Sequence, residues 1–320
     1  MEFSYWANPS QTWDQILEGA QFAAEAGWRG VWVPDHFMPS ADPSNGPGPT
    51  GAEMAPFLEG WMLLGGLATA VPDVRLGLMV GGNTYRHPAV VANMAITLDH
   101  MSGGRAVLGL GAGWQLNEHQ RLGIDLPSLK ERSDRLEEAA ALCRAMFEAN
   151  GQRVDFIGEH YTLTQAPVEP GPVHGSLPIL IGGAGAKRTL RTVARHADEW
   201  NAWGRPDTIA SHLENLQCHC DNEGRDITDV HITAVGLLII VDDAEKAAQM
   251  REGLAHRSGL VGTVDELKAV IEEYESVGVD EIVVPDFAIT GPDKMATLER
   301  FNHEVLGNSP TSAAPQPTTR

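Results

Sequence analysis

Eight short runs rich in apolar and β-branched residues recur along the chain, and longer amphipathic segments separate most of them. The runs are EFSYW, GVWVP, VRLGLMV, RAVLGLG, LPILIGG, DEWNAW, VHITAVGLLIIV and DEIVVPDF. Helical periodicity marks Trp13 to Ala26, Pro88 to Met101, Leu129 to Ala149, Lys187 to His196, Ile209 to Asn222, Val264 to Val277 and Lys294 to Leu306. A strand that is apolar along its whole length must be covered on both faces, and regular alternation with helices does this by flanking a parallel sheet. A length of 320 residues suits two small domains or one large one, so length alone does not choose. Eight strands alternating with helical segments do choose: they predict the α/β class, as a single (β/α)8 TIM barrel over residues 1–307.

Two Pro- and Gly-rich stretches, 38–60 and 151–177, are too long for plain connectors and are expected as loop insertions. The first leaves strand two directly and belongs on the face where the strands end. The second follows a helix, which puts it toward the opposite face unless it folds back. Beyond Asn308 almost nothing is apolar, so 308–320 reads as a disordered tail.

Charge removes several functions. Lys and Arg total 23 against 43 Asp and Glu, a formal net charge of -20, which argues against nucleic acid and against anionic membrane surfaces as partners. Apolar stretches such as Gly236 to Ile240 are far shorter than the roughly 20 residues of a membrane helix. MEFSYWANPS has no basic segment followed by an apolar one, so a secretory signal is not expected and the cytoplasm is the default. Cys143, Cys218 and Cys220 cannot all pair. In CHCD, at Cys218 to Asp221, the two cysteines would point to nearly opposite sides of a helix, so they read as structural and no metal is expected.

Four stretches carry possible chemistry. In ILIGGAGAKRTLRTVARHADEW, a strand ends in Gly182, Gly183, Ala184 and Gly185 and passes into a helix that begins with Lys187, Arg188 and Arg191. A dinucleotide fingerprint fails there because Arg188 holds the place of its third glycine and four strands already precede it. Close backbone approach, a helix start and local cations still point to a phosphate site, with a tight turn bearing a solvated basic face as the other reading. Asp35 and His36 stand where strand two ends, the catalytic position in barrels. The pair suits proton transfer, although an Asp-His step equally caps a loop. GLMVGGNTYRHP leaves strand three through glycines and brings Arg86 and His87 to a helix start at Pro88, either to face a flat ring or simply to pack. GLGAGWQLNE ends strand four and sets Trp114, Asn117 and Glu118 at the mouth, a combination suited to a planar polar ligand. Of the 8 tryptophans, Trp6, Trp32, Trp114, Trp200 and Trp203 fall at or near strand ends.

Taken in order, PDHF, YRHPAVVANMAITLDHMSGGRAVLGLGAGW, ERSDRLEEAAAL, LPILIGGAGAKRTLRTVARHADEWN and LVGTVDELKAVIEEYESVGVDEIVV resemble the bacterial luciferase-like monooxygenase superfamily. More closely, they resemble its branch that uses the deazaflavin coenzyme F420. The resemblance implies a cofactor lying across the strand ends, with a bulge near Leu78 and Met79, often containing a non-prolyl cis peptide, behind its ring. It implies cofactor contacts from Asn117, from Gly182, Gly183, Ala184 and Gly185, and from Lys187 and Arg188. It places His36 near the reactive carbon, with Asp35 orienting it, and leaves Trp6 and Trp114 to the substrate pocket. Sugar-phosphate dehydrogenases of that branch carry a glutamate where Trp114 stands, so a small apolar or aromatic substrate is expected instead. Hydride transfer follows as the expected activity, in a homodimer served by a separate cofactor reductase. An FMN-dependent monooxygenase and a non-catalytic flavin or deazaflavin binder are the alternatives.

Overall fold

The computed structural model describes residues 1–40, 54–149, 151–289 and 291–308. The first expected insertion therefore lies largely, and the expected tail almost wholly, outside the described residues.

All eight apolar runs form strands: β1 (Glu2–Trp6), β2 (Gly30–Val33), β3 (Arg75–Leu78), β4 (Ala106–Gly111), β5 (Ile179–Gly182), β6 (Glu199–Trp203), β7 (His231–Val235) and β8 (Glu281–Pro285). Each pairs in parallel with its sequence neighbours, and β1 also pairs with β8, so the sheet closes into an eight-stranded barrel. Around it run α1 (Trp13–Glu25), α2 (Gly60–Ala70), α3 (Pro88–Ser102), α4 (Leu116–Leu122), α5 (Leu129–Phe147), α6 (Thr189–His196), α7 (Pro206–Glu223), α8 (Ala244–Leu254), α9 (Val264–Ser276) and α10 (Lys294–Arg300). Local signals set several helix ends. Thr12 with Gln15 and Thr263 with Glu266 form capping boxes at α1 and α9, and α3 begins at Pro88 and ends against left-handed Gly103.

The alternation of side chains along each strand divides the apolar residues into two cores. Trp6, Trp32, Met79, Val107, Leu180, Val235 and Val283 fill the barrel interior, while the larger cluster lies between sheet and helices. Trp32 is fully buried at the centre, and a Cβ on Gly77 would stand 2.7 Å from its ring. The barrel's other end is closed by charge. Arg75 pairs with Glu199, Arg29 bridges Glu2 and Glu281, and His231 Nε2 lies 3.1 Å from the Glu281 carboxylate.

Three features depart from a plain barrel. The register between β3 and β4 runs Leu76 to Ala106 and Gly77 to Val107, then resumes as Gly81 to Leu110 and Gly82 to Gly111. One extra residue is thus accommodated on the β3 side, and within this bulge the Met79–Val80 peptide is cis. The bulge presses the Leu78 carbonyl so close to Gly109 that a Cβ there would lie 1.9 Å from the oxygen, so only glycine fits. Secondly, VHITAVGLLIIV is not one strand: Leu238–Ile240 leaves the barrel to pair with Leu260–Gly262. Thirdly, the 151–177 insertion contains an antiparallel hairpin, Arg153–Ile157 with Thr162–Pro167, that does fold back. The amides of its tip, Glu159, His160 and Tyr161, donate to Glu138 of α5, and the Tyr161 hydroxyl accepts from Asn83 Nδ2 at 3.3 Å. On α7, Cys218 is exposed and Cys220 buried, as expected for positions two apart. Among the described residues, no helix is long and apolar enough to cross a membrane.

Candidate active site

A cavity of about 610 Å³ opens at the ends of the strands, within the size range of small-molecule sites. Trp6, Asp35, His36, Met79, Trp114, Gly182, Gly183 and Ala184, all expected at the site, line it together with Val80, Tyr85, Asn201, Trp203, Arg257 and Phe287.

The wall built by β2, β3 and β4 is polar and cross-linked. Arg86 donates to both Asp35 oxygens, at 3.0 and 2.8 Å, and reaches Glu59 at 2.8 Å with its other nitrogen. The Gly82 amide adds a third bond to Asp35, at 3.0 Å. Burial nevertheless raises the Asp35 pKa above the ordinary carboxylate value, and Arg86 offsets only part of that penalty. Asp35 is therefore not the partner of His36. Asp35 turns toward Arg86 and the Gly82 amide, while His36 Nδ1 meets Glu118 Oε1 at 2.7 Å. Glu118 is fully buried on α4, and it also accepts from the Phe37 amide at 2.9 Å and from the Tyr85 hydroxyl. Burial, followed by the Glu118 charge, pushes the Tyr85 phenol far above its usual pKa, so it stays protonated and donating. A carboxylate only accepts, so His36 Nδ1 carries its proton and Nε2 is the nitrogen left for the cavity. Trp114 meets the His36 ring edge-on at 5.3 Å and is 40% exposed at the mouth.

The wall built by β5 and β6 offers backbone and space. Where the two walls meet, Gly111 at the end of β4 and Gly182 at the end of β5 flank Val80 of the bulge, and a Cβ on either would lie 2.6 to 2.8 Å from Val80 Cγ2. The cations expected beside this wall lie outside the cavity lining. Arg188 pairs with Asp134 and Arg191 with Glu137, both carboxylates on α5, so these guanidiniums turn away from the strand ends. Lys187 is exposed, and neither it nor Arg188 lines the cavity. The Gly183 amide is likewise used, donating to the Asn201 carbonyl at 2.9 Å. What remains for an anion is the segment from Ala184 onward and the first turn of α6, which has no side-chain cap. Gly185 lies over Thr189 rather than on the cavity surface.

Two further expectations are corrected. Leu78 points out of the barrel into the outer core, 1% exposed, because side-chain alternation leaves Met79 facing inward. Asn117 does not line the cavity. Its amide donates to the Pro39 carbonyl at 3.0 Å, and Gln115 does the same to Met38 at 2.8 Å, so together they anchor the start of the first insertion.

Residues 1–257 match the sequence profile of the luciferase-like monooxygenases. The chain belongs to this family. Among its luciferase-like relatives, an F420-dependent hydroxymycolic acid dehydrogenase of Mycobacterium tuberculosis is 30% identical over 240 residues, covering 74% of this chain and 62% of the relative. An F420-dependent glucose-6-phosphate dehydrogenase of Amycolatopsis mediterranei is 34% identical over 165 residues, 50% of this chain and 46% of the relative. The chain thus spans less than two thirds of the length of these relatives. A solved F420-dependent secondary alcohol dehydrogenase, in complex with an F420-acetone adduct, superposes with a TM-score of 0.79 at 21% identity, covering 95% of this chain and 98% of its own. At that identity the superposition speaks for the fold. The bulge expected near Leu78 and Met79 is present, with its cis peptide one residue further on.

Proposed function

We propose that this luciferase-like protein is an oxidoreductase that transfers a hydride between coenzyme F420 and a small apolar or aromatic substrate. The observation that carries the reading is His36, held by a buried carboxylate through Nδ1 and lining a cavity that also exposes the backbone of Gly182 and Gly183. The F420-dependent relatives support the choice of cofactor.

The residues present fit such a cofactor. Val80 and Met79 would back a flat ring, because Gly111 and Gly182 leave room for the bulge where a Cβ would collide. Ala184 and the uncapped start of α6 would receive a phosphate. When bound, the deazaflavin supplies a carbon that gives or accepts a hydride and lacks the oxygen-reactive nitrogen of a flavin. The chain contributes position, dryness and a proton. Trp6, Trp203 and Phe287 present an apolar surface that excludes water. His36 Nε2 donates a proton to a carbonyl oxygen on reduction, or takes one from a hydroxyl on oxidation, while Glu118 stabilises the ring when it is charged. Asp35 acts at one remove, fixing Arg86 and the Gly82 amide beside the bulge.

Fluorescence titration of the purified protein with F420 and, separately, FMN tests this reading. Tight F420 binding with FMN ignored is the expected result, and preference for FMN would overturn it in favour of oxygen chemistry. On His36→Ala, F420 affinity should change little while turnover falls about 10²- to 10⁴-fold. Unchanged turnover would remove His36 from the proton transfer, and F420 binding without turnover of any substrate by the wild type would make the protein a binder.

A further inference from the structure

Among the described residues that line the cavity, Arg257 is the single Arg or Lys. It closes the short turn Ala255–Arg257 that follows α8, and its guanidinium carbon lies 4.6 Å from the centre of the Trp203 ring. Stacking on an aromatic face leaves the edge of the guanidinium, where its donors lie, directed sideways. The turn is fixed at several points. Leu237 donates to the Arg257 carbonyl at 3.0 Å, Ser258 bonds the Ala255 carbonyl through both amide and hydroxyl, and Ala255 itself is held at φ +48°. Burial lowers the Arg257 pKa to about 10, so the group remains a cation at neutral pH while bearing a desolvation penalty.

Its position relative to His36 is set by the barrel. Trp203 ends β6 and His36 follows β2, and in the strand order these two strands are four apart in either direction, on opposite sides of the ring. Between them lie Trp6 and Phe287, with Trp6 5.8 Å from Trp203 and 5.0 Å from Phe287. The cavity therefore presents a proton-transfer group at one side, an aromatic surface in the middle and a cation at the other. In a chain of net charge -20, attraction for an anion must come from such a local group.

We propose that the substrate is an aromatic or alicyclic ketone or alcohol bearing a carboxylate, which Arg257 binds at the end remote from the reacting carbon. One guanidinium fork matches one singly charged carboxylate in a bidentate contact, whereas a doubly charged phosphate would call for more than the single Arg or Lys among the described lining residues. The five donors of a guanidinium allow this contact alongside any others it makes. This inference rests on the hydride-transfer reading for the identity of the reacting group, but the anion site stands or falls separately.

The test uses para-acetylbenzoate and its uncharged counterpart para-methylacetophenone, on the wild type and on Arg257→Gln. Binding is followed by tryptophan fluorescence without cofactor, and turnover by oxidation of reduced F420, in which the carbonyl carbon gains a hydride and its oxygen a proton. The wild type should favour the carboxylate by at least about tenfold in both readouts, and Arg257→Gln should abolish that preference while binding F420 as before. Retained F420 binding also shows that the variant barrel is folded. Equal binding of the two ketones by the wild type, or a preference that survives in Arg257→Gln, overturns the proposal. So does a variant whose F420 affinity falls by the same factor, since Arg257 would then serve the cofactor. Should the wild type ignore F420 yet select the carboxylate through Arg257, the hydride-transfer reading falls and the anion site remains.

Discussion

The two walls of the cavity differ in what their sequence motifs deliver. Where β2, β3 and β4 end, side chains from distant parts of the chain lock together: Asp35 with Arg86 and Glu59, His36 with Glu118 and Tyr85. Where β5 ends, the surface is the backbone of Gly182, Gly183 and Ala184, and Arg188 and Arg191 nearby are tied to carboxylates on α5. The contrast separates two tasks. A group that moves a proton needs a fixed tautomer and direction, which takes buried partners, whereas a surface that receives a large cofactor needs room and backbone.

The strongest way to break this contrast is to remove a partner from the locked wall. Arg86→Met leaves Asp35 buried without its cation and should cost about 3–5 kcal/mol of stability at neutral pH. Its pH dependence has a definite sign. The folded-state pKa of Asp35 already lies above its unfolded value near 3.8, so its contribution is fully present below that value and is lost as pH rises through the folded pKa. Without Arg86 the folded pKa climbs further and the loss deepens, so denaturant melts should show a variant far weaker than wild type at neutral pH and closer to it in acid. A deficit independent of pH would point to lost packing instead.

Next in size is Glu118→Gln, which preserves shape but can either donate or accept at His36 Nδ1. Turnover should drop about ten- to a hundredfold, as for other supporting-shell changes, and nitrogen NMR of the His36 ring should report a mixture of tautomers. A single tautomer with wild-type turnover would show that the locked wall does not depend on Glu118.

The glycine wall should respond in binding instead. Gly182→Ala puts a methyl about 2.8 Å from Val80, and the displaced bulge should weaken F420 binding about tenfold with His36 chemistry intact once the cofactor is saturating. The smallest effect is expected from Arg188→Ala. A partly exposed ion pair to Asp134 contributes little, so F420 affinity should change less than about threefold. A tenfold loss would return Arg188 to the cofactor site and erase the contrast at that position.

The barrel was legible because its signal is local and repeated: each of the eight runs is apolar enough to demand covering on both faces, and eight such strands in one chain match the count that closes a (β/α)8 barrel. One run misled. VHITAVGLLIIV reads as continuous because both halves are apolar, and only Gly236 marks where it leaves the sheet. At the site, residue types were legible and pairings were not. His36 and Asp35 are adjacent in sequence but have separate partners, and Glu118 lies 82 positions from the ring it holds. The Lys187 to Arg191 cluster looked like an anion site because its neutralising acids sit on the preceding helix, in the charged run ERSDRLEE. Since α5 and α6 flank the same strand, complementary charge on the two helices was available as a warning.

The departure of the chain from the barrel after β7 has a consequence for how such proteins diversify. At its outset the excursion closes a loop where Gly236 and Gly259 touch, so closely that a Cβ on Gly259 would lie 2.7 Å from the Gly236 Cα. A segment whose two ends meet can be lengthened, shortened or exchanged without disturbing what it is inserted into. If Arg257 binds the far end of the substrate as proposed, exchanging this closed stretch together with its partner strand Leu260–Gly262 is expected to change selectivity while leaving the wall around His36 in place.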